Sequence, residues 1–110
     1  MNFSKYQEEA RRFAIYKDKV TYPALGLASE AGEVCGKVKK VLRDTEGIST
    51  LINKYDRIAE IKAELGDVLW YIANLASDLE IPLEDIAEEN ISKLQDRMNR
   101  NQIKGSGDNR

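Results

Sequence analysis

Apolar residues recur at intervals of three and four through most of this chain, the period of helices that bury one face. Four helices follow. The first runs from about Phe3 or Ser4 to Tyr16, with Tyr6, Ala10, Phe13 and Ala14 on one side. Thr21 is a plausible cap for the second, which accepts Pro23 in its first turn and continues to about Arg43. Its stripe is Leu27, Ala31, Val34, Val38 and Val41. Residues 44–50 read as a loop and 51–56 as a short lead-in turn. The third helix runs from about Asp56 to Asp78, with Ile61, Leu65, Val68, Ile72, Leu75 and Leu79 as its stripe. Ile81-Pro82 marks a tight turn, with Pro82 near the first position of a fourth helix that reaches about Asn101. Residues 103–110 have the composition of a disordered tail. No strand pattern occurs. The expected fold is all-α and four-helix bundle-like, one domain over residues 1–102.

Two segments with the same internal pattern change this picture from architecture to chemistry. Glu30-Ala31-Gly32-Glu33-Val34 and Glu64-Leu65-Gly66-Asp67-Val68 both read Glu-x-Gly-acid-Val. At about 100° per residue, positions i and i+3 share one side of a helix. Glu30 and Glu33 lie at the edge of the first stripe, and Glu64 and Asp67 hold the same two places beside the second. If the helices pack together, four carboxylates converge. Such a cluster is self-repelling unless a cation sits among it. Oxygen-only ligands suit Mg²⁺, or Mn²⁺. Gly32 and Gly66 occupy matching positions and suggest close backbone approach. The plain alternative is a solvated helix flank, with Glu33 pairing to Lys37 one turn on. Glu60 reads more readily as an exposed partner of Glu64 or Lys62 than as a supporting member of the cluster.

Composition narrows the possibilities further. The chain has 110 residues, 33% of them charged, with a net charge of −2 and no histidine. Lack of His removes Ser-His-Asp and Cys-His catalysis, His-based zinc sites and Glu-x-x-His di-iron sites. The charge balance argues against a general nucleic-acid binder. No apolar run approaches a membrane span. The polar N-terminus is unlike a signal peptide, and the single Cys35 fits a reducing, cytoplasmic setting. Cys35 lies at the edge of the stripe, where a buried structural role is expected.

A phosphate-handling site would also need cations. Asn90, Lys93 and Arg97 follow one another at spacings of three and four, on one face of the fourth helix. Glu89 and Asp96 nearby can neutralise them equally well. Tyr71, one turn after Asp67, is placed to line a pocket or to pack at a boundary, and Tyr22 is a weaker candidate. Trp70 points away from the main stripe. An oligomer interface or packing against the first helix is favoured for it over a wall for a ligand's ring.

The stretches LGLASEAGEV (residues 25–34) and ELGDVLWYIANLA (residues 64–76) resemble the MazG-like all-α nucleoside triphosphate pyrophosphohydrolases, whose signature is ExxE, a spacer, then ExxD. The resemblance spans roughly residues 6–97. The spacer between Glu33 and Glu64 is 30 residues, at or slightly beyond the long end of the family pattern, a departure that bears on subgroup and substrate. The resemblance implies Mg²⁺-dependent attack of water on the α-phosphate of a nucleoside triphosphate, giving monophosphate and pyrophosphate. It implies Glu30, Glu33, Glu64 and Asp67 as metal ligands. Glu33 and Glu64 are the catalytic candidates, and the sequence leaves ligand and general base open between them. Lys37, Tyr71, Asn90, Lys93 and Arg97 become candidate substrate contacts. It also implies a homodimer or homotetramer, with sites near subunit boundaries. Two other readings stand beside it: a non-enzymatic helical interaction module, and a hydrolase acting on a phosphoribosyl-linked nucleotide.

Overall fold

The computed structural model describes residues 1–44 and 55–110. Within them the chain forms helices α1 (Phe3–Arg11), α2 (Thr21–Asp44), α3 (Tyr55–Asp78) and α4 (Leu83–Asn99). Of the expected lead-in turn over residues 51–56, residues 51–54 lie outside the described residues, as does most of the expected loop before it, and Tyr55 and Asp56 already belong to α3.

Helices α2 and α3 form an antiparallel hairpin. Their open ends meet where Val20, just before α2, donates its N–H to Asp78 at the end of α3 (2.9 Å). At the far end Arg57 of α3 lies 3.8 Å from Asp44 of α2. The first helix packs across the C-terminal half of α3. Asn2 caps it by accepting from the Lys5 N–H at 2.8 Å, which satisfies one of the donors a helix start leaves open. The Gln7 side chain then ties three elements together. Its amide donates to Ser77 Oγ (3.1 Å) and to the Ile81 carbonyl (2.9 Å), and its oxygen accepts from the Leu83 N–H (2.8 Å). Pro82, extended at φ −63° and ψ 131°, directly precedes α4, and Glu84 and Asp85 complement the helix dipole in its first turn.

Three expectations need correction. The first helix stops at Arg11, five residues short of Tyr16. Beyond it, turns bond Phe13 to Ala10 and Ala14 to Arg11, and Tyr16 is drawn to Asp78 instead. Phe13 accordingly leaves the helix face and is 65% exposed. Cys35 is exposed, not a core residue. Gly32 and Gly66 face open space, with nothing near where a Cβ would stand. The close approach occurs one and a half turns earlier, at Gly26. At the C-terminal end, Arg97 and Lys93 hold Asp108, and Arg100 donates to the Arg110 carbonyl at 2.7 Å.

The core is small. Ala10, Ala73 and Leu83 are buried together, with Tyr6, Trp70 and Ile72 packed against them. Trp70 therefore takes up intramolecular packing against α1. Among the described residues, α2 and α4 make no close approach. The Cα radius of gyration is 16.9 Å, against about 13 Å for a compact domain of about 100 residues. The bundle is open, and apolar side chains such as Leu25, Leu65, Ile91 and Met98 remain exposed.

Candidate active site

The hairpin brings the two acidic segments together. Glu30 comes from α2, and Glu64 and Asp67 come from α3. Each offers a carboxylate oxygen, and these oxygens lie within 4.8 Å of one another. Glu30 and Glu64 are half-buried, whereas Asp67 is exposed. The crowding has an electrostatic signature. Desolvation, followed by the charges of Asp67, Glu64 and Glu33 and a hydrogen bond with Glu64, raises the Glu30 carboxyl above the usual glutamate range. Glu33 is near enough to contribute to that field but stands outside the three-oxygen group, and its side chain is exposed. So the convergence expected of four carboxylates is met closely by three, with Glu33 to one side. Oxygens at this separation can turn inward onto one hard cation with ligand distances of about 2.1 Å. The donor set therefore fits Mg²⁺ or Mn²⁺.

Beside the carboxylates lies a cluster of rings. Tyr16 stacks on Tyr22 at a centroid distance of 5.1 Å. Trp70 meets Tyr16 edge-on at 6.4 Å and Tyr71 edge-on at 5.0 Å. Tyr22 and Tyr71 complete the ring at 6.1 Å. Tyr71 joins this cluster to the acids. A hydrogen bond with Tyr22, burial, and the neighbouring charges of Tyr22, Glu30 and Asp67 push its hydroxyl up to about 12. Gly26 makes the arrangement possible, since a Cβ there would overlap the Tyr71 ring. The rings, with Phe13, Ile15, Lys17 and Asp18, enclose an open cavity of about 350 Å³. That is within the range of small-molecule sites. Trp70 thus lines the cavity as well as packing on α1, and Tyr22 is more central than its sequence position suggested. Tyr16 was missed because it was read as the end of a helix. The clue available in the sequence was the density of aromatic residues, Phe13, Tyr16 and Tyr22, around a segment with no clear stripe.

The remaining candidates are distributed differently. Lys37 sits half-buried on α2, one turn beyond Glu33. Glu60 pairs with Arg57 at 3.5 Å, an ordinary i,i+3 surface pair. Asn90, Lys93 and Arg97 lie on α4, which does not approach α2, so one chain does not bring them to the Glu30 side of the site. Lys93 Nζ lies 3.2 Å from Asp108 Oδ1. Arg97 is buried and donates to the Asp108 carbonyl at 2.7 Å.

A family model described as the MazG nucleotide pyrophosphohydrolase domain matches residues 21–101, which include both acidic segments and the last helix. The chain belongs to this family. It is also 43% identical over 118 aligned positions to the Gene 37 protein of Mycobacterium phage L5, with both chains covered in full. That relative's name states no activity. No solved structure matches the chain. MazG membership accounts for the all-α architecture and points to a nucleotide pyrophosphohydrolase. No helix among the described residues is long and apolar enough to cross a membrane.

Proposed function

We propose that this MazG-family protein is a Mg²⁺-dependent hydrolase that cleaves a nucleoside triphosphate to the monophosphate and pyrophosphate. The observation that carries this reading is the meeting of Glu30, Glu64 and Asp67 beside an aromatic cavity. Acid cluster and cavity share Tyr71, so a nucleotide can present phosphate to one and base to the other.

In this reading Glu30, Glu64 and Asp67 would hold the cation. Bound there, Mg²⁺ supplies Lewis acidity toward phosphate oxygens and partial neutralisation of their charge. Glu33, exposed and outside the three-oxygen group, accepts the proton of the attacking water. Water oxygen bonds to the α-phosphorus, the bond from that phosphorus to the bridging oxygen breaks, and pyrophosphate leaves with the electron pair. Tyr16, Tyr22, Trp70 and Tyr71 offer ring faces and edges to the base. Lys37 is within one helical turn of Glu33 and supplies a cation for the phosphate chain.

Lys93 and Arg97 serve the same substrate from a second copy in this account. Their helix stays clear of α2 within one chain, and the exposed apolar side chains of α2, α3 and α4 favour a homodimer or homotetramer. The test is pyrophosphate release from a panel of canonical and modified nucleoside triphosphates, with Mg²⁺ and with chelator. The reading expects Mg²⁺-dependent release from at least one of them. An interaction module with a merely solvated acidic face releases none.

A further inference from the structure

Arg11 at the end of α1 and two groups from the connection between α1 and α2 converge on one buried carboxylate. Asp78, the last residue of α3, has a fully buried side chain, and Arg11 Nη2 lies 2.7 Å from its Oδ1. The Tyr16 hydroxyl and the Val20 N–H both donate to its Oδ2, each at 2.9 Å. Arg11 Nη1 donates in turn to the Tyr16 oxygen at 3.0 Å and to the buried Asn74 Oδ1 at 3.3 Å. A carboxylate has the wrong charge for a helix C-terminus, and burial adds a further cost. The donors offset both, so that despite burial the Asp78 carboxyl is held below the usual aspartate range.

The segment that Asp78 grips has no helix of its own. Residues 12–20 hold only isolated turns. Val20 sits at φ 65°, the left-handed region, which a β-branched side chain strongly disfavours. Such a conformation persists only where its surroundings over-determine it, and the bond from Val20 N–H to Asp78 is a direct restraint of that kind. The same segment forms one wall of the aromatic cavity, through Phe13, Ile15 and Tyr16. The opposite wall, Trp70 and Tyr71, stands on α3 with Glu64 and Asp67. One helix thus carries two metal-site carboxylates, one wall of the cavity, and at its end the anchor for the other wall.

We propose that Asp78 is a positioning residue for nucleotide recognition: with Arg11 it fixes Tyr16 and the 12–20 segment as a preformed wall against which the base is held. This rests on the pyrophosphohydrolase reading. It assigns Asp78 to base recognition and not to metal or phosphate handling, and the two kinds of role separate kinetically.

Trp70 is the single tryptophan of the chain and lies edge-on to Tyr16, so its fluorescence reports on the cavity. Full-length wild type, Tyr16→Phe and Asp78→Asn are compared. Tyr16→Phe keeps the ring and removes only the hydroxyl that donates to Asp78, so it tests the link if Asp78→Asn fails to fold. The readouts are kcat and KM for the best triphosphate of the panel, nucleoside monophosphate affinity from Trp70 fluorescence, and inhibition by inorganic tripolyphosphate with Mg²⁺. The proposal expects Tyr16→Phe to raise KM and the monophosphate Kd about tenfold, the scale for losing an outer supporting partner. It expects kcat to stay within about twofold and tripolyphosphate inhibition to be unchanged, since the metal site is untouched. Wild-type KM and monophosphate affinity in folded Tyr16→Phe protein overturn the proposal, as does a fall in kcat at constant KM. Wild-type protein that neither binds nor cleaves nucleotides overturns the functional reading, and this proposal with it. Active wild type with unchanged variants overturns this proposal alone.

Discussion

Gly26 of α2 lies against the ring of Tyr71 on α3 so closely that a single added methyl group would overlap it. This contact sets the distance between the helix that carries Glu30 and the helix that carries Glu64 and Asp67. Gly26→Ala gains roughly 1 kcal/mol of helix propensity. It loses about 1–3 kcal/mol to overpacking, because Tyr71 is boxed in by Tyr22 and Trp70 and has no easy retreat. The expected net change is a destabilisation of up to about 2 kcal/mol in urea unfolding, with weaker nucleotide binding. A variant more stable than wild type would show that the ring moves aside freely.

The three carboxylates predict opposite effects on stability and activity. Glu64→Gln removes one of three crowded charges, so the metal-free protein should melt no lower at neutral pH than wild type. Turnover should fall about a hundredfold or more, the scale for losing one group that serves transition-state charge. Circular dichroism should be unchanged. Full turnover in this variant would remove Glu64 from the metal site.

The raised Glu30 carboxyl gives a pH signature with a definite sign. Its folded value lies above its unfolded one, chiefly through desolvation and then through Asp67, Glu64 and Glu33. The folded chain therefore holds this proton more tightly. Stability of the metal-free protein falls as pH rises from about 4.3, the ordinary glutamate value, through the raised folded value, and then levels. A cation binds the ionised form, so the increase in melting temperature on adding Mg²⁺ should grow across that same window. Thermal melts with and without Mg²⁺ at a series of pH values test this. A Mg²⁺ shift that does not change with pH would contradict it.

How much of this was legible in the sequence follows from which forces act locally. The stripes of α2 and α3 fix a helical period and place Glu30, Glu64 and Asp67 on facing sides, so the acid cluster could be read from spacing alone. Spacing does not separate Glu33 from the others, yet in the structure it stands outside the three-oxygen group. The two glycines singled out by their matching positions, Gly32 and Gly66, are open, and Gly26, which lies outside the repeat, carries the contact. The end of α1 was hidden because Phe13 and Ala14 continue the helical period, while the bond from Tyr16 to Asp78 that draws the chain away spans 62 positions. The same limit hid the aromatic cavity: its walls come from segments far apart in sequence.

Assembly is tested on α4. Ile91 is 66% exposed and lies on the face that also presents Leu94 and Met98. Sedimentation at micromolar concentration should show a dimer or tetramer, and Ile91→Glu should shift it toward monomer with reduced activity. An active, strictly monomeric wild type would show that one chain builds the whole site, and Lys93 and Arg97 would then have no route to substrate.

The most direct test of the central claim follows the oxygen. The protein is incubated with Mg²⁺ and the best triphosphate of the panel in ¹⁸O-labelled water, and the products are separated by mass. The account predicts one labelled oxygen in the nucleoside monophosphate and none in the pyrophosphate, because water attacks the α-phosphorus. Label in pyrophosphate or inorganic phosphate, or no Mg²⁺-dependent product from any nucleotide, would contradict it.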